Sequence, residues 1–467
     1  MYKASFYNIF LFIPETNEFL LYNTYHGGII VLESVESKVF NEIISKDSFS
    51  LEDYTIHIDF INSLIEKGYI VNSNVDEIKQ YEQKYHDRVK RLFYSNNGTF
   101  VLTIATTNSC NMKCPYCFEF DKHNAVINDK LIEDLETFLE SVVQNSQNIT
   151  NWAGMDITWY GGEPLVAQNV INKLSPKLIR FAEQHQMKYS AGIITNGILL
   201  TKETWSLLQK NQVKWAQITI DGNKETHNIY RPLKNIKEKN YERILENIAK
   251  MPQGMSATIR VNTDKKVVAN FEKFLDDLNA YGIWPQRHKE IKIVNAWLRT
   301  YEQASESKTE NRIPLPEWMH YRNILREIKL NYYNRWADQH NMKRGRLAFN
   351  VEKASFEDCW AVISPFSFVI DADGYTYKCW EVVHDKNFAI QHISEKYDRE
   401  KYNKHLSYNR FDSCTESSNC KYLPICGTIG CAQAEYPNCS KYTKDIETSL
   451  KEQYLQYKQN PDKIVFS

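Results

Sequence analysis

TFVLTIATTNSCNMKCPYC, residues 99–117, joins a run rich in β-branched and apolar residues to three cysteines, Cys110, Cys114 and Cys117. The first nine residues have the composition of a strand, and the cysteines follow directly on its C-terminal end. The next cysteine is Cys359, so residues 118–358 hold none. Three thiolates without a near fourth make an incomplete metal set. Two chemistries suit them: tetrahedral zinc completed by His123, or a four-iron cluster with one iron left for an external ligand. The close spacing favours the cluster.

Outward from this stretch the chain alternates strand and helix. MDITWYGG (155–162), YSAGIITNG (189–197), VKWAQITIDG (213–222) and ATIRVNT (257–263) read as strands, with amphipathic runs such as DKLIEDLETFLESVV (129–143) between them. Repeating βα units predict a parallel sheet with helices outside, closed or partial, over residues 98–300. Chemistry in such folds sits at the C-terminal ends of the strands.

Before this core, SFYNIFLFIP, EFLLYNT and IIVL are strand-like, and ESKVFNEII and FINSLIEKGY have helical spacing. That order matches winged-helix and peptide-binding modules and predicts a small α+β domain over residues 1–73, followed by a charged helical linker over 74–97. Residues 301–353 read as a helical bridge. Residues 354–467 hold seven cysteines and little periodicity, the mark of a region stapled by metal clusters.

The net charge of -1 and the lack of Lys/Arg-rich runs give no reason to expect nucleic acid or an anionic membrane. IFLFI (9–13) is short and lacks a basic flank, which predicts neither signal peptide nor membrane span, and a cytoplasmic location. Ten cysteines in such a compartment point to metal or redox chemistry rather than disulfides.

The C-x3-C-x2-C loop after the first strand, with an aromatic residue, Tyr116, before the last cysteine, resembles the signature of radical S-adenosylmethionine (radical SAM) enzymes. YGGEPL (160–165), TNG (195–197) and TIDG…HNIYR (219–231) follow in that family's order. The resemblance implies a partial (β/α)6 TIM-like barrel and a cluster whose fourth iron is chelated by SAM. By the same resemblance Gly161, Gly162 and Glu163 receive the methionine ammonium and Arg231 pairs with the SAM carboxylate. Asn196 and Thr219 serve as amide and hydroxyl partners, and Tyr116 belongs to the cofactor site. Cluster potentials reach about −700 mV at their low end, so flavodoxin or ferredoxin is the implied reductant.

DADGYTYKC (371–379) and the later run C-x5-C-x5-C-x4-C-x7-C resemble the SPASM extension of peptide-modifying radical SAM enzymes, with altered gaps. That resemblance implies two auxiliary clusters, for three [4Fe-4S] clusters in all. Cys414, Cys420, Cys426 and Cys439 would hold one, and Cys359, Cys379 and Cys431 the other. A zinc ribbon is the alternative for this region.

Residues 1–73 are similar to the PqqD-like element that binds leader peptides, which implies a precursor peptide as partner, added as a strand to a sheet edge. Anaerobic sulfatase-maturating enzymes share barrel and extension, but place a proton-accepting Asp after the cysteine matched by Cys379. Here Trp380 stands there, and an indole accepts no proton. Glu381 and Asp385 are the remaining candidates for a base. These features predict a maturase that abstracts hydrogen from a ribosomally made peptide and installs a thioether or carbon–carbon cross-link. The alternatives are a formylglycine-forming sulfatase maturase, a peptide epimerase, and a non-catalytic iron–sulfur partner.

Overall fold

The computed structural model describes residues 1–94, 96–119, 123–234, 240–299, 311–356, 358–383, 385–406, 410–414, 417–426, 439–462 and 464–465. They form two compact units, one of Met1–Phe93, Arg346–Ile363 and Ser407–Ser467, the other of Tyr94–Gly345 and Ser364–Leu406.

The first unit begins with strands β1 (Tyr2–Ala4), β2 (Asn8–Ile13), β3 (Glu18–Asn23), β4 (Ile29–Leu32) and β5 (Ile70–Asn72), and helices α1 (Ser34–Ile44), α2 (Ile58–Glu66) and α3 (Glu77–Tyr94). β2, β3 and β4 form an antiparallel meander, while β1 pairs antiparallel with β5. Side chains alternate across the meander as the two-residue period of a strand requires. Leu21 and Leu32 pack with Phe40 and Ile43 of α1 and Ile61 and Leu64 of α2. Ile9, Leu11, Ile13, Leu20 and Tyr22 pack on the opposite side against Ile446, Leu450 and Tyr454 of the helix Cys439–Gln459. Sequence reading predicts residues 1–73 as a separate domain; here the meander is buried on both faces and shares a core with the end of the chain. A full apolar face of this kind contributes about 1.5–3 kcal/mol for each large side chain it buries.

The second unit is built on six parallel strands, β6 (Asn97–Thr107), β7 (Asn151–Gly161), β8 (Lys188–Thr195), β9 (Val213–Thr219), β10 (Ser256–Thr263) and β11 (Ile291–Trp297). They lie in chain order, and the sheet stays open with β11 at one edge. On the other side Ser367–Ile370 pairs in parallel with β6, and Tyr375–Tyr377 and Gln391–His392 extend the sheet antiparallel. Residues 364–406 therefore belong to the barrel sheet, where sequence reading predicts them with the C-terminal region. The physical cause is apolar: Phe366, Phe368 and Ile370 are buried with Phe100 and Phe138.

The intervening helices follow the predicted amphipathic pattern. Asp129–Gln144 is capped by Asn128, whose side chain accepts the Leu131 N–H, and buries Ile132, Leu135, Phe138, Leu139 and Val142 on one face. The bridge region supplies the helix Trp318–Gln339, which buries Leu325 and Tyr332 in the same core. No described helix is long and apolar enough to cross a membrane.

Candidate active site

The loop after β6 carries Cys110, Cys114 and Cys117 to the C-terminal side of the sheet, where all three line one cavity of about 610 Å³. The loop is held by backbone: Lys113 N–H donates to Pro232 O at 2.8 Å, and Lys234 N–H to Asn111 O at 2.9 Å. The Met112 N–H points at the Cys110 sulfur at 3.4 Å, a donor that favours the thiolate.

Tyr116, Gly161, Gly162, Glu163, Asn196, Thr219 and Arg231 line the same cavity. The structure brings together every cofactor-site residue the motifs single out. Several take partners that the motifs do not reveal.

The two glycines meet protein at close range. A Cβ on Gly161, which has φ +122, would lie 2.2 Å from Thr107 O, and one on Gly162 would lie 2.5 Å from Ser109 O. Gly162 N–H donates to Thr107 O and Glu163 N–H to Ser109 O. The pair therefore lets the end of β7 seat against the root of the cysteine loop. Glu163 is 1% exposed, and its carboxylate accepts from Thr195 Oγ1 and Asn196 N–H, both at 2.7 Å, and from Leu165 N–H at 3.1 Å. Burial pushes its carboxyl up while these donors hold it down. Asn196 turns its amide to Asn111 Oδ1 in the cysteine loop, at 2.6 Å.

Around Tyr116 lies a network. Its hydroxyl donates to Asp221 Oδ2 and accepts from Arg231 Nη1 at 2.6 Å and Asn262 Nδ2 at 3.2 Å. Asp221 is fully buried, accepts the Asn262 N–H, and lies 3.9 Å from Arg231. Burial pushes the Asp221 carboxyl up, and the guanidinium opposes that shift. His227 accepts the Asp221 N–H on Nδ1, and burial holds the imidazole neutral. Sequence reading does not single out Asp221, His227 or Asn262, although Asp221 and His227 stand inside TIDG…HNIYR and Asn262 is the penultimate residue of β10.

The outer cavity is aromatic, with Trp297, Trp318 and Trp380 in its wall. Trp380 stacks on Tyr160, with ring centroids 6.1 Å apart and planes at 25°. Glu381 lines the cavity but is held by Arg299 Nη1 at 2.8 and 3.2 Å. Asp385 is absent from the lining; its carboxylate caps the turn at Asn387 N–H.

His123 pairs with Asp373 at 2.7 Å and is not among the lining residues, so it does not complete a zinc site with the three cysteines. Among the described residues no three His, Cys, Asp or Glu side chains are gathered to hold a single ion. Of the other seven cysteines, Cys414, Cys420 and Cys426 pack against one aromatic cluster in the first unit. Cys439 adds to the negative field that, after burial, pushes the Cys420 thiol up. Cys359 lies in the first unit and Cys379 in the second, and Cys431 is outside the described residues.

Residues 104–263 match the model of the Radical SAM superfamily. The chain is 24% identical over 257 residues to radical SAM cyclopropyl synthase TigE of Paramaledivibacter caminithermalis, a match covering 48% of this chain and 52% of the synthase. The chain thus spans about half the length of that relative. It is 22% identical over 373 residues to the cysteine-type anaerobic sulfatase-maturating enzyme of Clostridium novyi, covering 73% of this chain and 89% of that enzyme. The solved structure of native anSMEcpe with bound AdoMet has a TM-score of 0.55 at 17% identity, covering 77% of this chain and 99% of that one, a likeness of fold.

Enzymes of this superfamily use SAM and a [4Fe-4S] cluster, and the residues present fit both. Three cysteines, none in a disulfide, share the cavity. The Arg231 Nε is buried without a hydrogen-bond partner among the described residues, an orphan donor suited to a ligand carboxylate. The matched span holds the Cys110 loop, the Gly161–Glu163 turn, Asn196, Thr219 and Arg231, so the family match and the cavity residues fall on the same stretch of chain.

Proposed function

We infer that the protein is a radical SAM peptide maturase acting on a ribosomally made precursor. When bound, the cluster and SAM supply a 5′-deoxyadenosyl radical that takes hydrogen from carbon. Cys110, Cys114 and Cys117 would hold the cluster. Arg231 would bind the SAM carboxylate and Glu163 the ammonium, each from a buried position where charge-assisted hydrogen bonds are strong. The aromatic wall of Trp297, Trp318, Trp380 and Tyr160 would exclude water from the reacting carbon.

One observation carries the choice of substrate class: Trp380 is stacked on Tyr160 at the cavity wall and directly follows Cys379, where the sequence resemblance would put the acidic base of a sulfatase maturase. Glu381, its neighbour, is neutralised by Arg299. A site without a free base there suits closure of a radical by cross-linking more than formation of an aldehyde. The outer edges of β2 and β4 pair with no described strand, which supports leader binding by strand addition. Cys414, Cys420, Cys426 and Cys439 would hold an auxiliary cluster that accepts the electron left by oxidation. Flavodoxin or ferredoxin would reduce the radical cluster, in the cytoplasm.

Anaerobically reconstituted protein with SAM and dithionite tests the reading. A leader-bearing peptide is expected to raise 5′-deoxyadenosine and to lose two hydrogens. Equal turnover of a leaderless sulfatase peptide would favour the formylglycine-forming alternative. Deuterium uptake from D2O without mass loss in H2O would favour an epimerase. No 5′-deoxyadenosine under any condition would leave a non-catalytic partner.

A further inference from the structure

Two tyrosines in the first unit have buried hydroxyls that no described residue bonds. Tyr7 is 1% exposed and Tyr25 6%, and neither Oη has a hydrogen-bond partner among the described residues. Orphaned buried hydroxyls are uncommon in folded proteins and call for a missing partner. Tyr81, in van der Waals company with both, shows the contrast. Its hydroxyl donates to Ser355 O at 2.7 Å and accepts from Arg410 Nη1 at 2.8 Å.

The surroundings of the two orphans are aromatic rings and thiols. Tyr7 and Tyr25 meet tilted at 32° with centroids 5.4 Å apart, Tyr7 meets Tyr81 at 6.2 Å, and Tyr25 meets Phe356 at 6.0 Å. Cys414, Cys420 and Cys426 pack against this same cluster. The Tyr7 hydroxyl lies within electrostatic reach of Cys420, whose sulfur also takes the Tyr422 backbone N–H. Thr24 Oγ1 donates to Lys421 O, tying the residue before Tyr25 to the residue after Cys420. Tyr7 immediately precedes β2 and Tyr25 follows β3 by two residues, so one end of the meander delivers both hydroxyls.

We propose that Tyr7 and Tyr25 donate hydrogen bonds to the sulfurs of a cluster held by Cys414, Cys420, Cys426 and Cys439, and so raise its reduction potential from the N-terminal meander. This rests on the reading of those cysteines as cluster ligands. A donor to cluster sulfur stabilises the reduced, more negative state. Both tyrosines are positioning residues: they tune an electron acceptor and touch no substrate.

The test uses the full chain with Cys110→Ala, Cys114→Ala and Cys117→Ala, so that signals from the cysteine loop are absent. Tyr7→Phe and Tyr25→Phe keep the rings and remove the hydroxyls. The expected result of an EPR-monitored redox titration is a midpoint moved to lower potential by each substitution and further by both, at unchanged iron content. An unmoved midpoint in the double variant overturns the proposal. If either variant loses iron, the unsubstituted tyrosines are read instead. ENDOR of the reduced cluster is expected to show exchangeable proton couplings that deuterium oxide removes, and their absence is equally fatal. Cys420→Ala separates the two layers: iron loss supports the cluster, whereas an unchanged iron content sinks the cluster itself and the tyrosine role with it.

Discussion

The Tyr116 hydroxyl donates to Asp221, joining the cysteine loop to the end of β9 through a carboxylate that solvent does not reach. Arg231 and Asn262 complete the arrangement by donating to the same phenol oxygen. Asp221→Asn removes the carboxylate that lies 3.9 Å from the Arg231 guanidinium. Leaving a buried cation without its partner costs about 3–5 kcal/mol, and less here because an Asn oxygen can still accept from Tyr116. The expected loss is roughly 2–3 kcal/mol in urea unfolding. Tyr116→Phe is expected to lose about 1–2 kcal/mol. A smaller loss in Asp221→Asn than in Tyr116→Phe would show that the phenol, not the ion pair, organises this corner.

Gly162→Ala tests how the strand end meets the loop. Its Cβ would press on Ser109 O at 2.5 Å, and backbone cannot step aside as a flexible side chain can. The cysteine loop is therefore expected to shift, with reconstituted iron on Cys110, Cys114 and Cys117 falling several-fold. Iron assay of the variant checks this. Full loading would mean the loop tolerates displacement.

The outer wall is expected to act on substrate alone. Trp380→Ala removes the ring that stacks on Tyr160 in the outer wall of the cavity. Uncoupled 5′-deoxyadenosine formation with dithionite should stay within about two-fold, while kcat/KM for peptide falls about ten-fold, equivalent to roughly 1.4 kcal/mol. Equal falls in both would place Trp380 in cofactor binding.

Legibility in the sequence followed locality. The loop at Cys110–Cys117, five of the six parallel strands and the residues at their ends are readable because strand period and motif spacing are properties of short windows, while β11 is not among the strands the sequence shows. What escaped was non-local. Ile446, Leu450 and Tyr454 stand at helical spacing, yet nothing in that spacing says that they meet Ile9 and Leu11 across more than four hundred residues of chain. Likewise Ser367–Ile370 is too short a run to announce that it pairs with β6. Gly161 and Gly162 are legible as part of the YGGEPL motif, but their close contact with the Thr107–Ser109 backbone is supplied only by the folded register. Asp385 was legible as an acid near Cys379 and proved to be a turn cap, a role that Asp fills as readily as catalysis.

Lys329 gives the pH dependence its sharpest handle. Its ammonium donates to Ile293 O at 3.0 Å on the edge strand β11, and burial, aided by Arg326, pushes its pKa down to about 8. An unfolded lysine titrates near 10.4. Between those values the unfolded chain holds a proton that the folded chain has released, so folding stability rises with pH across the interval. Below about pH 8 both states are charged and the folded one bears the whole desolvation cost, up to roughly 3 kcal/mol. Lys329→Met has no such titration. Other groups cancel in the difference between the two proteins, so the variant is expected to be the more stable at pH 7 and to lose that lead by about pH 10.5. Urea midpoints at both pH values read the change directly. A difference that stays constant from pH 7 to 10.5 would mean that water reaches the ammonium and that the helix Trp318–Gln339 sits less tightly on β11 than the 3.0 Å bond implies.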